Sequence, residues 1–182
     1  TNEFGEFSQA WSLSMETGER DVVVAEDWDV MYVSYSPSGR YRISGVNNDG
    51  STEVTLTDLT SGESAIIQDV PAGDLAQIRF NRDESAVAFG LYRDTAPFDI
   101  YFMTLGSEAK QLTSALNPAI DSANMVEGEV VRFDSYDGLP IPGILYKPRQ
   151  ASAENPAPAL VWVHGGPGGQ SRKGYSATIQ HL

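Results

Sequence analysis

Cysteine is absent from the 182 residues, which excludes a disulfide framework, a thiolate zinc site and a cysteine nucleophile. Histidine is scarce. His164 and His181 are the two in the chain, and neither has a second histidine at helical i+4 spacing, so a zincin-type metal site is excluded. Nothing in the sequence implies a metal or a cofactor. No run approaches the ~18 apolar residues that a membrane span needs. The opening Thr1-Asn2-Glu3-Phe4 lacks the basic and apolar regions of a signal peptide, which favours the cytoplasm. A start methionine is missing as well, so a lost leader leaves the compartment open.

Basic side chains are few, 12 against 25 acidic ones, for a net charge of −13. Residues 1–126 hold 20 acidic and 7 basic side chains, and residues 127–182 hold 5 of each. Segments so different in charge read as two structural units. The acidic one repels nucleic acid, whose backbone demands Lys and Arg. Hydrophobic residues make up 41% and aromatics 10%, enough for a packed core.

The first unit repeats itself. Tyr35-Ser36-Pro37-Ser38-Gly39-Arg40-Tyr41 is echoed 45 residues later by Phe80-Asn81-Arg82-Asp83-Glu84-Ser85-Ala86. Ser14-Met15-Glu16-Thr17-Gly18-Glu19 returns 44 residues on as Asp58-Leu59-Thr60-Ser61-Gly62-Glu63, and Thr104-Leu105-Gly106-Ser107-Glu108 is a shorter third copy. Between these turns apolar and polar residues alternate as in half-buried strands, with Tyr41, Ile43, Val87, Phe89 and Leu91 facing inward. Asn47-Asn48-Asp49-Gly50 reads as a hairpin turn. Four short strands in every ~40–50 residues is the pattern of a β-propeller blade. Two blades look complete, after the tail of another at Trp11–Val24. A small sandwich or meander is the competing architecture.

Thr113 to Met125 reads as a connector. Glu129 to Phe133 and Ile141 to Tyr146 then form an antiparallel pair turned at Ser135-Tyr136-Asp137-Gly138, and Lys147-Pro148 stops the second strand. After an Ala-, Pro- and Ser-rich crossover at Gln150 to Pro158, Ala159-Leu160-Val161-Trp162-Val163 is a continuous apolar run, the mark of a strand covered on both faces. It leads into His164-Gly165-Gly166-Pro167-Gly168-Gly169, and Tyr175 to Leu182 opens a helix. A loop of this kind brings backbone N–H groups beside a reacting carbonyl, because glycine permits close approach and unusual φ. A Walker loop is excluded because Lys173 precedes Gly174 rather than Ser or Thr. A dinucleotide loop is excluded because Ser171 stands where its third glycine belongs.

Val131-Arg132-Phe133-Asp134-Ser135-Tyr136-Asp137-Gly138 with Ile141, then Tyr146-Lys147-Pro148, then His164-Gly165-Gly166-Pro167, resembles the prolyl oligopeptidase family of serine peptidases, in particular its acylaminoacyl-peptidase and dipeptidyl-peptidase-like members. The resemblance implies β-propeller blades over residues 1–126, followed by the start of an α/β-hydrolase domain over residues 127–182. It implies a chain truncated at both ends. It assigns the backbone N–H of Gly166 to the oxyanion hole, with His164, Gly165 and Pro167 ordering the loop and His181 on a helix surface. No Gly-x-Ser-x-Gly occurs: Gly169-Gln170-Ser171-Arg172-Lys173 lacks the closing glycine. Ser171 is therefore a loop or helix-cap serine, and the Ser-Asp-His triad would lie beyond Leu182. The expected activity is hydrolysis of short peptides through an acyl-enzyme, with the propeller gating access and the 182-residue chain alone inactive. A carboxylesterase and a non-enzymatic propeller module are the alternatives. The expected partner is a short peptide substrate, without nucleic acid or membrane, and the oligomeric state is open.

Overall fold

Alternation and turn chemistry together lay out a series of small antiparallel sheets. The structure, a computed structural model, describes residues 1–64, 67, 70–166 and 168–182. β1 (Ala10–Leu13) pairs with β2 (Arg20–Val24). β3 (Asp29–Tyr35), β4 (Tyr41–Asn48) and β5 (Ser51–Asp58) form a three-stranded sheet. β6 (Asp74–Phe80), β7 (Ala86–Tyr92), β8 (Asp99–Thr104) and β9 (Lys110–Gln111) form a four-stranded one. β6 begins 45 residues after β3, and β7 begins 45 after β4. The repeat in sequence is thus a repeat in structure. The three-stranded sheet has one further bridge, Thr57 to Ser64, where the fourth strand of the expected unit would begin. Residues 30–112 contain no helix among those described. The sheets do not close into a ring among the described residues.

The core lies between the two larger sheets. Tyr41, Ile43 and Leu56 of the first meet Ile78, Val87, Phe89, Leu91, Tyr101 and Met103 of the second in one buried cluster. Every inward position read from the alternation is buried, with Val87 and Leu91 at 0% exposure. Tyr41 stacks on Phe80 at 5.1 Å and Phe89 on Tyr101 at 5.7 Å, adding aromatic attraction to the area removed from water.

The repeated turns share one geometry. Gly18 and Gly62 both take φ of +75°, and each donates its N–H four residues back, to Ser14 and Asp58 respectively. Asp49 and Gly50, at φ +53° and +85°, make the hairpin turn between β4 and β5 with both central residues left-handed. The turn between β3 and β4 places Gly39 at φ +79°, and its counterpart 45 residues on is Glu84 at φ +57°. A glutamate pays a steric cost there that glycine does not. Its carboxylate offsets the cost by accepting the N–H of Ser38 at 2.7 Å and the Ser38 hydroxyl at 2.6 Å. Those two bonds, the hydroxyl first, hold the Glu84 carboxyl below its usual range. One repeat's turn is thereby tied to the next.

Residues 127–182 are built differently from the expectation. β10 (Glu129–Asp134) and β11 (Pro140–Leu145) form the expected hairpin, with Val131 opposite Gly143. α1 (Ala177–His181) is a short helix capped by Ser176, whose Oγ accepts from Ile179, so Ser171 is a loop serine and not the cap. The buried strand expected at Ala159–Val163 is not formed. Among the described residues no strand lies alongside it, and Leu160, Val161, Trp162 and Val163 stand 65–83% exposed. A continuous apolar run becomes a strand only where neighbours supply ladder bonds on its edges and cover on its faces, and the β10–β11 hairpin supplies neither. Beyond the β10–β11 hairpin and α1, no α/β-hydrolase sheet is formed among the described residues.

Truncating Phe89, 2% exposed in the cluster, should cost about 3–5 kcal/mol. Urea denaturation of Phe89→Ala should show a lower midpoint at an unchanged slope. A second test uses acid. Arg40 donates to Asp58 from Nε at 3.1 Å and Nη2 at 2.7 Å, pulling that carboxyl from 3.8 down to about 2. A carboxyl depressed by folding stabilises above its unfolded value and loses that contribution as pH falls through the folded value. Asp58→Asn should flatten the fall of melting temperature between pH 3.8 and about 2, and an unchanged slope would discard this pair as an acid sensor.

Candidate functional site

The glycine loop begins where the exposed run ends. Gly166 has φ of +74°, a left-handed conformation that suits glycine. Gly169 is required for a second reason, since a methyl group on it would stand 2.8 Å from Nδ1 of His164. The His164 ring folds back on its own loop, with Nδ1 3.3 Å from the Gly165 carbonyl oxygen. Gly165, Gly166 and His164 are exposed, and a side chain at Gly165 or Gly166 would meet open space. Pro167, expected to support this loop, lies outside the described residues. His181 closes α1 and is exposed.

The chain beyond the loop is fixed by the turn between β4 and β5. Arg172 donates from Nη1 to Asn47 at 2.6 Å and from Nη2 to Thr52 Oγ1 at 2.6 Å, and lies 3.5 Å from Asp74. Asn47 in turn donates to Gln170 at 2.9 Å, and the Lys173 N–H reaches the Gly50 carbonyl at 3.1 Å. Arg132 of β10 pairs with Asp49 at 2.6 Å. Asp74 also accepts the Thr52 N–H at 2.6 Å. Burial pushes its pKa up against the opposing pull of the Thr52 N–H and Arg172.

Asp94, in the turn between β7 and β8, is the second anchor. Its Oδ1 accepts the Tyr146 hydroxyl at 2.7 Å and the Gly174 N–H at 2.7 Å, while Oδ2 accepts the Gly128 N–H at 3.0 Å. Gln180 of α1 donates to the Asp94 carbonyl at 3.0 Å and to that of Val126 at 2.8 Å. Burial first, then the bond to Asp94, raises the Tyr146 hydroxyl above its ordinary pKa. Between the two anchors lies a cavity of about 380 Å³, whose walls include Thr52, Asp74, Arg93, Asp94, Glu127 and Lys173.

The sequence brought forward the loop but not its supports. Asp94 and Asp49 lie 45 residues apart, in step with the repeat, so equivalent turns of both sheets bind residues 127–182. That spacing was the signal available for Asp94. Arg172 and Asp74 had none, because their partners are far apart in sequence. Chemically the site offers backbone N–H groups at an open glycine loop on a polar base. Among the described residues no serine or threonine hydroxyl bonds a histidine, and no three metal-binding side chains cluster. No described helix is long and apolar enough to cross a membrane.

Removing the Asp94 carboxylate should loosen Gly128, Gly174 and α1 together. Hydrogen bonds to a charged group are worth roughly 1.5–3 kcal/mol each. Asp94→Ala should therefore speed amide exchange at Gly128 and Gly174 by about tenfold or more, with β7 protection unchanged. Uniform loss across both regions would instead mark Asp94 as part of the global fold.

No family model matches the chain. In sequence it is 29% identical over 85 residues to the uncharacterized peptidase YuxL of Bacillus subtilis (strain 168), over 47% of this chain and 13% of that protein. In structure it is similar to a chain from a structural and mechanistic study of two prolyl endopeptidases, with a TM-score of 0.61 and 16% identity, over 79% of this chain and 22% of that one. The chain thus spans less than a quarter of either relative. The fold is the antiparallel β fold of that structure's matching part, and the two likenesses support a prolyl oligopeptidase-like relationship.

Proposed function

We propose that the chain is part of a serine-type peptidase that cleaves short peptides through an acyl-enzyme, with residues 1–126 as propeller blades and residues 127–182 as the beginning of the hydrolase domain. The observation that carries this reading is an order of features on one fold. Repeated antiparallel sheets, an Asp-Gly hairpin and a His-Gly-Gly-Pro loop follow one another in a chain whose fold overlays a prolyl endopeptidase. The matched uncharacterized peptidase YuxL supports the same reading from sequence.

The mechanism assigned to the site is electrostatic. As a serine oxygen adds to the scissile carbonyl, the carbonyl oxygen gains charge, and a fixed N–H donor lowers the barrier more than it lowers the ground state. Gly166 supplies that N–H. Serine, histidine and aspartate are supplied by residues outside this chain, in which Gly-x-Ser-x-Gly is absent. The histidine takes the serine proton and returns it to the leaving amine, and the aspartate orients the histidine. His164 acts on the loop by lying against Gly165 and Gly169. The sheets of residues 1–126 restrict entry to short peptides.

The test is made on the intact enzyme with a short chromogenic peptide. Gly166→Pro removes one donor, and loss of one oxyanion donor costs roughly 10²–10³ in turnover, about 2.7–4 kcal/mol. Circular dichroism must show the variant folded. Wild-type turnover by Gly166→Pro would overturn the assignment. Loss of acylation in a folded His164→Ala protein would reassign that histidine from loop support to chemistry.

A further inference from the structure

A loop made mostly of glycine has few side chains with which to hold its own position. Gly165, Gly166, Gly168 and Gly169 supply none, so the place of the Gly166 N–H depends on how the ends of the loop are fixed. Its C-terminal end is fixed by a guanidinium clasp. Asn47 and Thr52 stand directly opposite each other on β4 and β5, so their side chains leave the sheet on one face. Arg172, six positions after Gly166, closes on that pair. Its Nη1 donates to Asn47 Oδ1 at 2.6 Å and its Nη2 to Thr52 Oγ1 at 2.6 Å. Asn47 Nδ2 donates in turn to Gln170 Oε1 at 2.9 Å, which also accepts from Arg172 Nη1 at 3.3 Å. One carboxamide therefore holds both Gln170 and Arg172.

The clasp spans two sheets. Arg172 Nη2 lies 3.5 Å from Asp74 Oδ2, and Asp74 opens β6, the first strand of the next sheet. Asp74 also accepts the Thr52 N–H, so the acceptors around the fork are bonded to one another. Neither the repeat nor the core asks for this arrangement. At the repeat spacing of 45 beyond Asn47 stands Tyr92, and Asn47, Thr52 and Arg172 all lie outside the buried cluster. Side chains that the sheets do not require have their role in what they hold, and they hold the residues that follow the glycines.

We infer that Arg172, held by Asn47 and Thr52, is a positioning residue for the Gly166 N–H. The inference rests on the oxyanion reading of Gly166, and adds that the sheet unit sets turnover without touching substrate. An oxyanion donor acts within a narrow range, about 2.7–3.1 Å from the developing charge. Misplacement by about 1 Å costs as much as ~100-fold in rate. Arginine is needed because its planar fork meets acceptors on two neighbouring strands at a fixed spacing. An ammonium presents a point charge in place of that fork, so lysine is not a substitute.

Steady-state kinetics of the intact enzyme on a short chromogenic peptide test this, with Gly166→Pro measured alongside and melting temperatures confirming each fold. Arg172→Ala and Arg172→Lys should both lower kcat by about tenfold or more. KM should stay near the wild-type value, since the donor acts in the transition state rather than on bound substrate. Asn47→Ala should behave alike, and Asn47→Ala combined with Arg172→Ala should lose no more than the worse single variant, because members of one clasp are not additive. Thr52→Val removes only the hydroxyl contact and should lower kcat, while Thr52→Ser should restore it. That pair decides the matter if an arginine variant fails to fold, and equal rates in the two overturn the inference. Wild-type kcat in folded Arg172→Ala, beside an impaired Gly166→Pro, overturns the positioning role and leaves the oxyanion reading standing. So does a loss that falls on KM, which would mark Arg172 as a substrate contact, or losses that simply add. Wild-type turnover by Gly166→Pro removes the oxyanion reading itself, and this inference with it.

Discussion

Face-to-face burial of the β3–β5 sheet against the β6–β9 sheet is the constraint on which the rest depends. Each strand here is short, and a small sheet with one uncovered apolar face is only marginally stable. Val87, Phe89, Leu91, Tyr101 and Met103 can leave water only because Tyr41, Ile43 and Leu56 are presented by the neighbouring repeat. The turns then have to hold a fixed register, since a one-residue slip would carry these side chains to the opposite face. Left-handed residues at Gly18, Asp49, Gly50, Gly62 and Gly106 do this within each sheet.

Between sheets the register is held by Glu84. Its left-handed conformation breaks a local rule, and the break is explained by what the side chain reaches. A glycine at this position, as at Gly39, would be relaxed but mute. Glutamate accepts both the N–H and the hydroxyl of Ser38 across the gap between repeats. Apolar packing is tolerant of small slides, whereas a carboxylate held by two short bonds is not. The polar clasp thus fixes the relative position of faces that the hydrophobic effect only pushes together.

What the sequence made legible follows from the range of the interactions involved. Turns are local, and alternation needs only a strand's own residues, so the repeat, the hairpin at Asp49-Gly50 and the inward set of Tyr41 to Leu91 could be read directly. Ala159–Val163 could not, because a continuous apolar run reports that cover on both faces is wanted, not that it is supplied. Leu160 to Val163 are exposed for want of neighbours rather than of strand propensity. At the candidate site, the glycines announced themselves by their spacing. Asp94 was signalled only by its 45-residue spacing from Asp49, and Asp74 and Arg172 not at all, since the bonds that tie them to the rest of the site join residues from 22 to 125 positions apart.

The two halves of the chain are therefore held by different physics. The sheets cohere through buried apolar area, which is cooperative and lost only with the fold. Residues 127–182 rest on them through Asp94, Asp49 and Arg172, a set of discrete polar bonds around a cavity. Such bonds contribute roughly 1.5–3 kcal/mol each, and water replaces them readily when they part. Opening at this seam consequently costs far less than unfolding a sheet. The glycine loop sits at its edge, clamped from Gln170 onward and unsupported across the exposed run before it. Its conformation is set by its own glycines and its position by the Arg172 anchor, so the loop can keep its shape while the seam beneath it moves.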